Sequence, residues 1–359
     1  MKFDKKHIGA WLAGAVVAAA LAGCSMIDED LSQCEPTPPT PPTPQEPEYK
    51  IDYELQLITN ISTEIETELS ALTETDIAQA LRGHLQNIFT DFAHDVDLSF
   101  YDTQGDSIRL QHDEHIMDAS QASYTLNLPK RQYMHLAAAN LVKNGQVGIA
   151  SDEWCHRSLL QQVSGDTIPS HTTGLFSARL PMNVLEGVDQ QFKVRLFMVN
   201  CAAALVIDTN GLDSRGIQVS GSGFASGFSI CDSLYHFASV SPVVRASRID
   251  PAKGSKIAFC TVSFPSREAV ATRTYIETTE GFEDKPGKEP LWEFAVIVPN
   301  ADGTLTRTVL SIREQLSAGE LRIIKARLLD NGGLSPDTPD VGVNVALDWK
   351  PGNTYTPEI

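Results

Sequence analysis

Beyond its N-terminal stretch the chain lacks any long apolar run. The best, Val199 to Ile207, holds about nine residues, less than half of what a helical bilayer span needs. Positive charge is scarce: 28 Lys and Arg stand against 46 Asp and Glu, a formal net charge of −18. That balance argues against nucleic acid as a partner and against charge-driven binding to anionic lipid. Cysteine is sparse, six in 359 residues, and no Cys-x-x-Cys spacing occurs, which weakens a redox motif and a structural zinc site alike. Catalytic signatures are missing too. There is no phosphate-cradling Walker loop, no dinucleotide fingerprint and no His-Glu-x-x-His. Val219-Ser220-Gly221-Ser222-Gly223 only approximates the Gly-x-Ser-x-Gly elbow of a serine hydrolase. The expectation is a protein that is not an enzyme and holds no cofactor.

What is present begins at the N-terminus. Met1 to His7 carries Lys2, Lys5 and Lys6, and Ile8 to Ala22 is almost wholly apolar and small. At about 15 residues this stretch is short for a bilayer span and reads as a secretory signal peptide, residues 1–23. It closes on Leu21-Ala22-Gly23-Cys24, which resembles the bacterial lipobox. Small residues there admit the peptidase, and the Cys24 thiol receives a diacylglycerol. The competing readings are an uncleaved anchor and a plain signal with a chance Cys. On the lipobox reading, Cys34, Cys155, Cys201, Cys231 and Cys260 remain as thiols. Five is odd, so at least one stays unpaired, and the pairing does not follow from spacing. Residues 24–48 form a tether. Its acidic start leads into Glu35 to Pro47, rich in Pro and Thr, where missing backbone donors favour extended polyproline II. At roughly 3 Å per residue this holds the body on the order of 40 Å from the lipid.

The body carries 42% apolar and 21% charged residues over the whole chain, ordinary for globular protein. Ile51-Asp52-Tyr53-Glu54-Leu55-Gln56-Leu57 is apolar at every second residue, a half-buried strand. Ile77, Leu81, Leu85, Ile88, Phe89 and Phe92 recur at helical spacing, with Thr73 and Asp76 as capping residues. Beyond them the pattern is mostly strands: 97–101, 107–110, 124–128 and 133–138, then the longer run 193–207. Asp208-Thr209-Asn210-Gly211 breaks that run, which places a boundary near Asn210. Strands at 218–222, 257–264, 274–278 and 291–298 follow. Many strands with scarce helix predict a mainly β protein of two tandem β-sandwich domains, 49–210 and 211–359, with one short helix in the first. The last strand is the most regular. Val341, Val343, Val345, Leu347 and Trp349 alternate with Gly342, Asn344, Ala346 and Asp348, so one face presents five large apolar groups. Either that face fills the domain's own core, or it completes the sheet of a neighbour.

Other clusters have weaker claims. His112-Asp113-Glu114-His115, with His94, Asp95 and Asp97 upstream, offers metal-ligand residue types, but its polar flanks read as a solvated loop. Phe224, Phe228, Tyr235 and Phe237 are placed either to stack on sugar rings or to fill a core. Asp106-Ser107-Ile108, Asp166-Thr167-Ile168 and Asp232-Ser233-Leu234 resemble the O-glycosylation acceptor of Bacteroidales.

Taken together, the chain resembles the FimB-type fimbrial anchor subunits of Bacteroidales, the fimbrillin-associated anchor lipoproteins. The residues carrying the likeness are Cys24 to Cys34, Ser123 to Pro129 leading into Tyr133 to Ala139, and Pro339 to Gly352. The long Pro/Thr spacer departs from the family, and Trp154 to Ser241 carries no sharp match. The resemblance implies two transthyretin-like β-sandwiches on a surface-exposed, lipid-anchored protein of the cell outer membrane. It implies that Asp28, Glu29 and Asp30 act as the surface-export signal. It also implies fimbrial stem subunits (fimbrillins) as partners, joined by strand complementation at Val341, Val343, Val345, Leu347 and Trp349, with control of fimbrial length as a second role. The alternative is a surface glycan-binding lipoprotein serving nutrient uptake.

Overall fold

In the computed structural model of the protein, the described residues run from Glu46 to Trp349, without 74, 91, 117–122, 151, 166, 269–271, 277–280, 286–289 and 340. Cys24, Asp28, Glu29, Asp30, Cys34 and the Pro/Thr run therefore lie outside the described residues. In chain order the first half contains β1 (Glu48–Ile58), α1 (Ile61–Ser70), α2 (Thr75–Ile88), β2 (Asp95–Asp102), β3 (Arg109–Ile116), β4 (Ser123–Pro129) and β5 (Gln132–Ala139). Then come α3 (Leu141–Asn144), β6 (Val147–Ala150), β7 (Leu159–Gln162), β8 (Ile168–Pro169), β9 (Phe176–Asn183), β10 (Gln190–Met198) and β11 (Cys201–Asp208). The second half contains β12 (Gln218–Ser222), β13 (Gly227–Ser229), β14 (Leu234–His236), β15 (Val244–Arg245), β16 (Ser247–Ile249) and β17 (Lys256–Ser263). It ends with β18 (Thr272–Ile276), β19 (Gly281–Lys285), β20 (Trp292–Pro299), β21 (Leu305–Ile312), β22 (Leu321–Leu328), β23 (Leu334–Pro336) and β24 (Val341–Trp349). The protein is mainly β, as its strand-rich pattern predicts.

Alternation builds the first large sheet. In β1, Ile51, Tyr53 and Leu55 are buried while Asp52 is exposed, and the strand pairs antiparallel with β4 and parallel with β10. The sheet runs β3-β2-β5-β9-β10-β1-β4. The expected helix appears as α2, burying Ile77, Leu81, Leu85 and Ile88. Among the described residues two further helices, the four-residue α3 and the longer α1, correct the expectation of one; α1 is the one that packs beside α2. Its Ile61, Ile65 and Leu69 recur every four residues and are buried, but the Thr and Ser between them are weak helix formers.

The run expected as one long strand, 193–207, is also corrected. It breaks at Val199-Asn200, and its two pieces join different sheets. Asn200 is fully buried: its Oδ1 accepts from the Leu175 amide at 3.0 Å, and its Nδ2 donates to the Thr173 carbonyl at 2.9 Å. A buried amide so bonded fixes the crossover. After it, β11 becomes the middle strand of the sheet β16-β17-β11-β22-β23.

That sheet is buried on both faces. Ala202, Ala204 and Val206 of β11 face one core with α1, α2 and the seven-stranded sheet. Cys201, Ala203, Leu205 and Ile207 face a second core against the sheet β24-β21-β20-β12-β15-β8. Two hydrogen bonds stitch α1 and its C-terminal end to β22: Ile323 N–H to Glu68 at 3.1 Å, and Lys325 to the Ala71 carbonyl at 2.7 Å. A third core lies under the small sheet β14-β13-β7-β6, with Leu160 and Phe228 packing near Tyr101, Leu136 and Ala138 of the large sheet. That small sheet draws two strands from each half of the chain.

Candidate functional site: the C-terminal edge strand

β24 is an edge strand, and among the described strands it pairs with β21 alone. Ile312, Leu310 and Thr308 of β21 stand opposite Val341, Val343 and Val345. Residues directly opposite in an antiparallel ladder share a face, and all three β21 residues are buried, so the valines lie on the inward face. Their exposure differs. Val341 is half-buried against the core, whereas Val343 is 44% and Val345 38% exposed. Gly333, just before β23, lies beside Val345: an added Cβ there would stand 3.7 Å from the Val345 side chain. Val343 and Val345 thus meet solvent although they lie on an inward face. The side chains of Leu347 and Trp349 lie outside the described residues.

The titratable cluster around His112 is a strand rather than a loop. In β3, His112 and Glu114 share a face, and Asp113 points to the other. Asp97 of β2 joins them across the hairpin: His112 Nε2 lies 2.7 Å from one Asp97 carboxylate oxygen and 3.7 Å from Glu114. Among the described residues this is the one group of three metal-ligand side chains that converges. Burial raises the Asp97 pKa, and the His112 hydrogen bond opposes that rise. Of the upstream residues, His94 and Asp95 turn elsewhere. Asp95 accepts from the Leu141 and Val142 amides at the start of α3, and Lys143 reaches His94 at 3.0 Å.

The aromatic stretch is core. Phe224 and Phe228 are 1% and 5% exposed, Phe224 lies against Trp292, and the Tyr235 hydroxyl donates to the Val199 carbonyl at 2.9 Å. Phe237 remains more open, with the Arg267 guanidinium over its ring. The elbow-like Val219-Ser220-Gly221-Ser222-Gly223 lies largely in β12, paired with β20, and forms no strand-to-helix turn. Of the acceptor-like tripeptides, Ser107 and Ser233 hold positive φ, +56° and +57°, Ser233 in a turn, and Asp166 lies outside the described residues.

No family model matches the chain, and no curated protein matches it. Solved structures do. An adhesin candidate from Bacteroides ovatus is similar at 12% identity and a TM-score of 0.49, over 82% of this chain and 95% of that one. The fimbrial anchor protein Mfa2 from Porphyromonas gingivalis is similar at 10% identity and a TM-score of 0.41, over 82% and 98%. A polysaccharide-binding candidate from Bacteroides thetaiotaomicron is similar at 11% identity and a TM-score of 0.46, over 82% and 97%.

Proposed function

We propose that this chain is a lipid-anchored surface protein that roots a fimbria on the outer membrane. Cys24 carries the lipid, Asp28, Glu29 and Asp30 direct export, and the Pro/Thr run spaces the body from the membrane. The body takes a stem subunit through β24. The observation that carries the contact is the pair Val343 and Val345, exposed on the inward face of an edge strand. An edge strand offers unpaired main-chain donors and acceptors on its free side, and an added strand satisfies them while its alternate side chains seat on apolar neighbours. As the root of the fibre, this chain also regulates fimbrial length.

The test is deletion of the gene and its restoration with Cys24→Ala. Loss of fimbriae from the surface, or fibres of altered length, is the expected result in both strains. Fimbriae that stay attached at normal length in both would overturn the reading. The chemical argument for glycan binding is weaker, because Phe224 and Phe228 fill a core and Phe237 alone of the four aromatic side chains is open.

A further inference from the structure

Cys155 and Cys231, 76 residues apart in sequence, bring their sulfur atoms to 3.0 Å. The backbone holds both in place. Cys155 opens a single 3-10 turn, Cys155–Arg157, and its amide donates to the Ser107 carbonyl at 3.1 Å. Ser158, just after that turn, accepts at its carbonyl from the Ile230 amide at 3.1 Å, and the next residues, Leu159 and Ser229, pair in the β7–β13 ladder. Arg179 donates to the Cys231 carbonyl at 2.7 Å. The remaining described cysteines face apart: Cys201 points into one core and Cys260 into another.

We infer that Cys155 and Cys231 are joined by a disulfide in the exported protein. Such a bridge needs two sulfurs on adjacent, fixed backbones, which the ladder supplies. The oxidant belongs to the protein-disulfide class. Cys231, the more exposed of the two, loses its proton to water, and its thiolate attacks one oxidant sulfur. The oxidant's S–S bond breaks, one sulfur leaves as a thiolate, and a mixed disulfide remains. Cys155 then loses its proton and attacks the Cys231 sulfur, expelling the second oxidant thiolate. Two thiols lose two electrons, and the oxidant's disulfide gains them to become two thiols.

The bridge ties a first-half turn, just before β7, to the second-half turn between β13 and β14 of the same small sheet, and the closed loop contains the Asn200 crossover. It locks the joint between the halves whether or not β24 carries a subunit. The test takes the full chain from the cell envelope, blocks free thiols with N-ethylmaleimide in denaturant, and digests without reduction. Mass spectrometry should find a Cys155–Cys231 linked peptide, with Cys201 and Cys260 alkylated. Reductant should lower Tm by about 5–10 °C, and Cys231→Ser should melt at that lower value with or without reductant. Alkylation of both Cys155 and Cys231, or a link from either to another cysteine, would overturn the inference. A bridged protein with a Tm indifferent to reductant would remove the locking role.

Discussion

His135 shows how one residue makes this protein sensitive to acid. It is fully buried on β5, its ring stacked on Phe100 with centroids 4.3 Å apart. Nδ1 lies 3.0 Å from the Ser99 carbonyl oxygen, which accepts only. Nδ1 therefore carries the proton, and Nε2 takes the hydrogen bond of the Tyr53 hydroxyl. A second proton would be a buried charge, so burial holds the pKa at about 4. His171, buried beside Gln162 and Asn200, is pushed down to about 3 by the same cause. In the unfolded chain both return to about 6.5 and bind protons first. The folded state is thus fully favoured above about pH 6.5 and loses stability as the pH falls toward 4. Each such His contributes a slope of up to about 1.4 kcal/mol per pH unit in that window. Urea midpoints measured from pH 7.5 to 4.5 should fall, and Tyr53→Phe with His135→Phe should flatten the fall by roughly one His worth of slope. Comparison of the two slopes cancels every other titrating group. Equal slopes would place the acid response away from His135.

Strands β11 and β24 both look apolar in sequence and differ in what covers them. Leu205 of β11 is fully buried in a strand with a core on each face, and Leu205→Ala should cost about 2–5 kcal/mol in denaturant unfolding. Val343→Asp with Val345→Asp should leave unfolding within about 1 kcal/mol, because both side chains already meet water, yet should abolish subunit attachment. A double variant that folds and still displays attached fimbriae would remove β24 from the contact. Period two made β1 and β24 legible, since alternation states which residues share a face. It does not state whether another layer lies over that face, so the exposure of Val343 and Val345 was not legible. Nor was the break at Asn200, a tertiary effect of a buried amide bonded to Thr173 and Leu175. α1 escaped because Thr63, Glu64, Glu66 and Thr67 separate its three apolar anchors with residues that suit a loop equally well. The strand at His112 and Glu114 is hidden for a related reason: the polar run Gln111 to His115 leaves no hydrophobic period to find.

The residues from Pro47 onward form one compact unit, and the chain crosses between its halves more than once. Both strands that pair with β11, namely β17 and β22, lie after Asn210. Two of the four strands of the small sheet, β13 and β14, do so as well. α1 and α2 bury their apolar faces in a core shared with β11, β17 and β22. A fragment of residues 47–210 would thus expose β11 along both edges and on the face of Ala203, Leu205 and Ile207, and would uncover Leu136 and Ala138 beneath the small sheet. Apolar burial drives folding in proportion to the area removed from water, and this fragment forfeits much of the area that three cores supply. Residues 47–349 should therefore unfold in a single calorimetric transition, with calorimetric and van't Hoff enthalpies equal. Residues 47–210 should give no cooperative transition and should bind a hydrophobic dye such as ANS. If the fragment instead melts cooperatively near the Tm of the whole, the halves are independent, and load on β24 would reach the tether through a hinge. If it does not, and β24 carries a subunit as proposed, load would pass from β24 through packed sheets to β1.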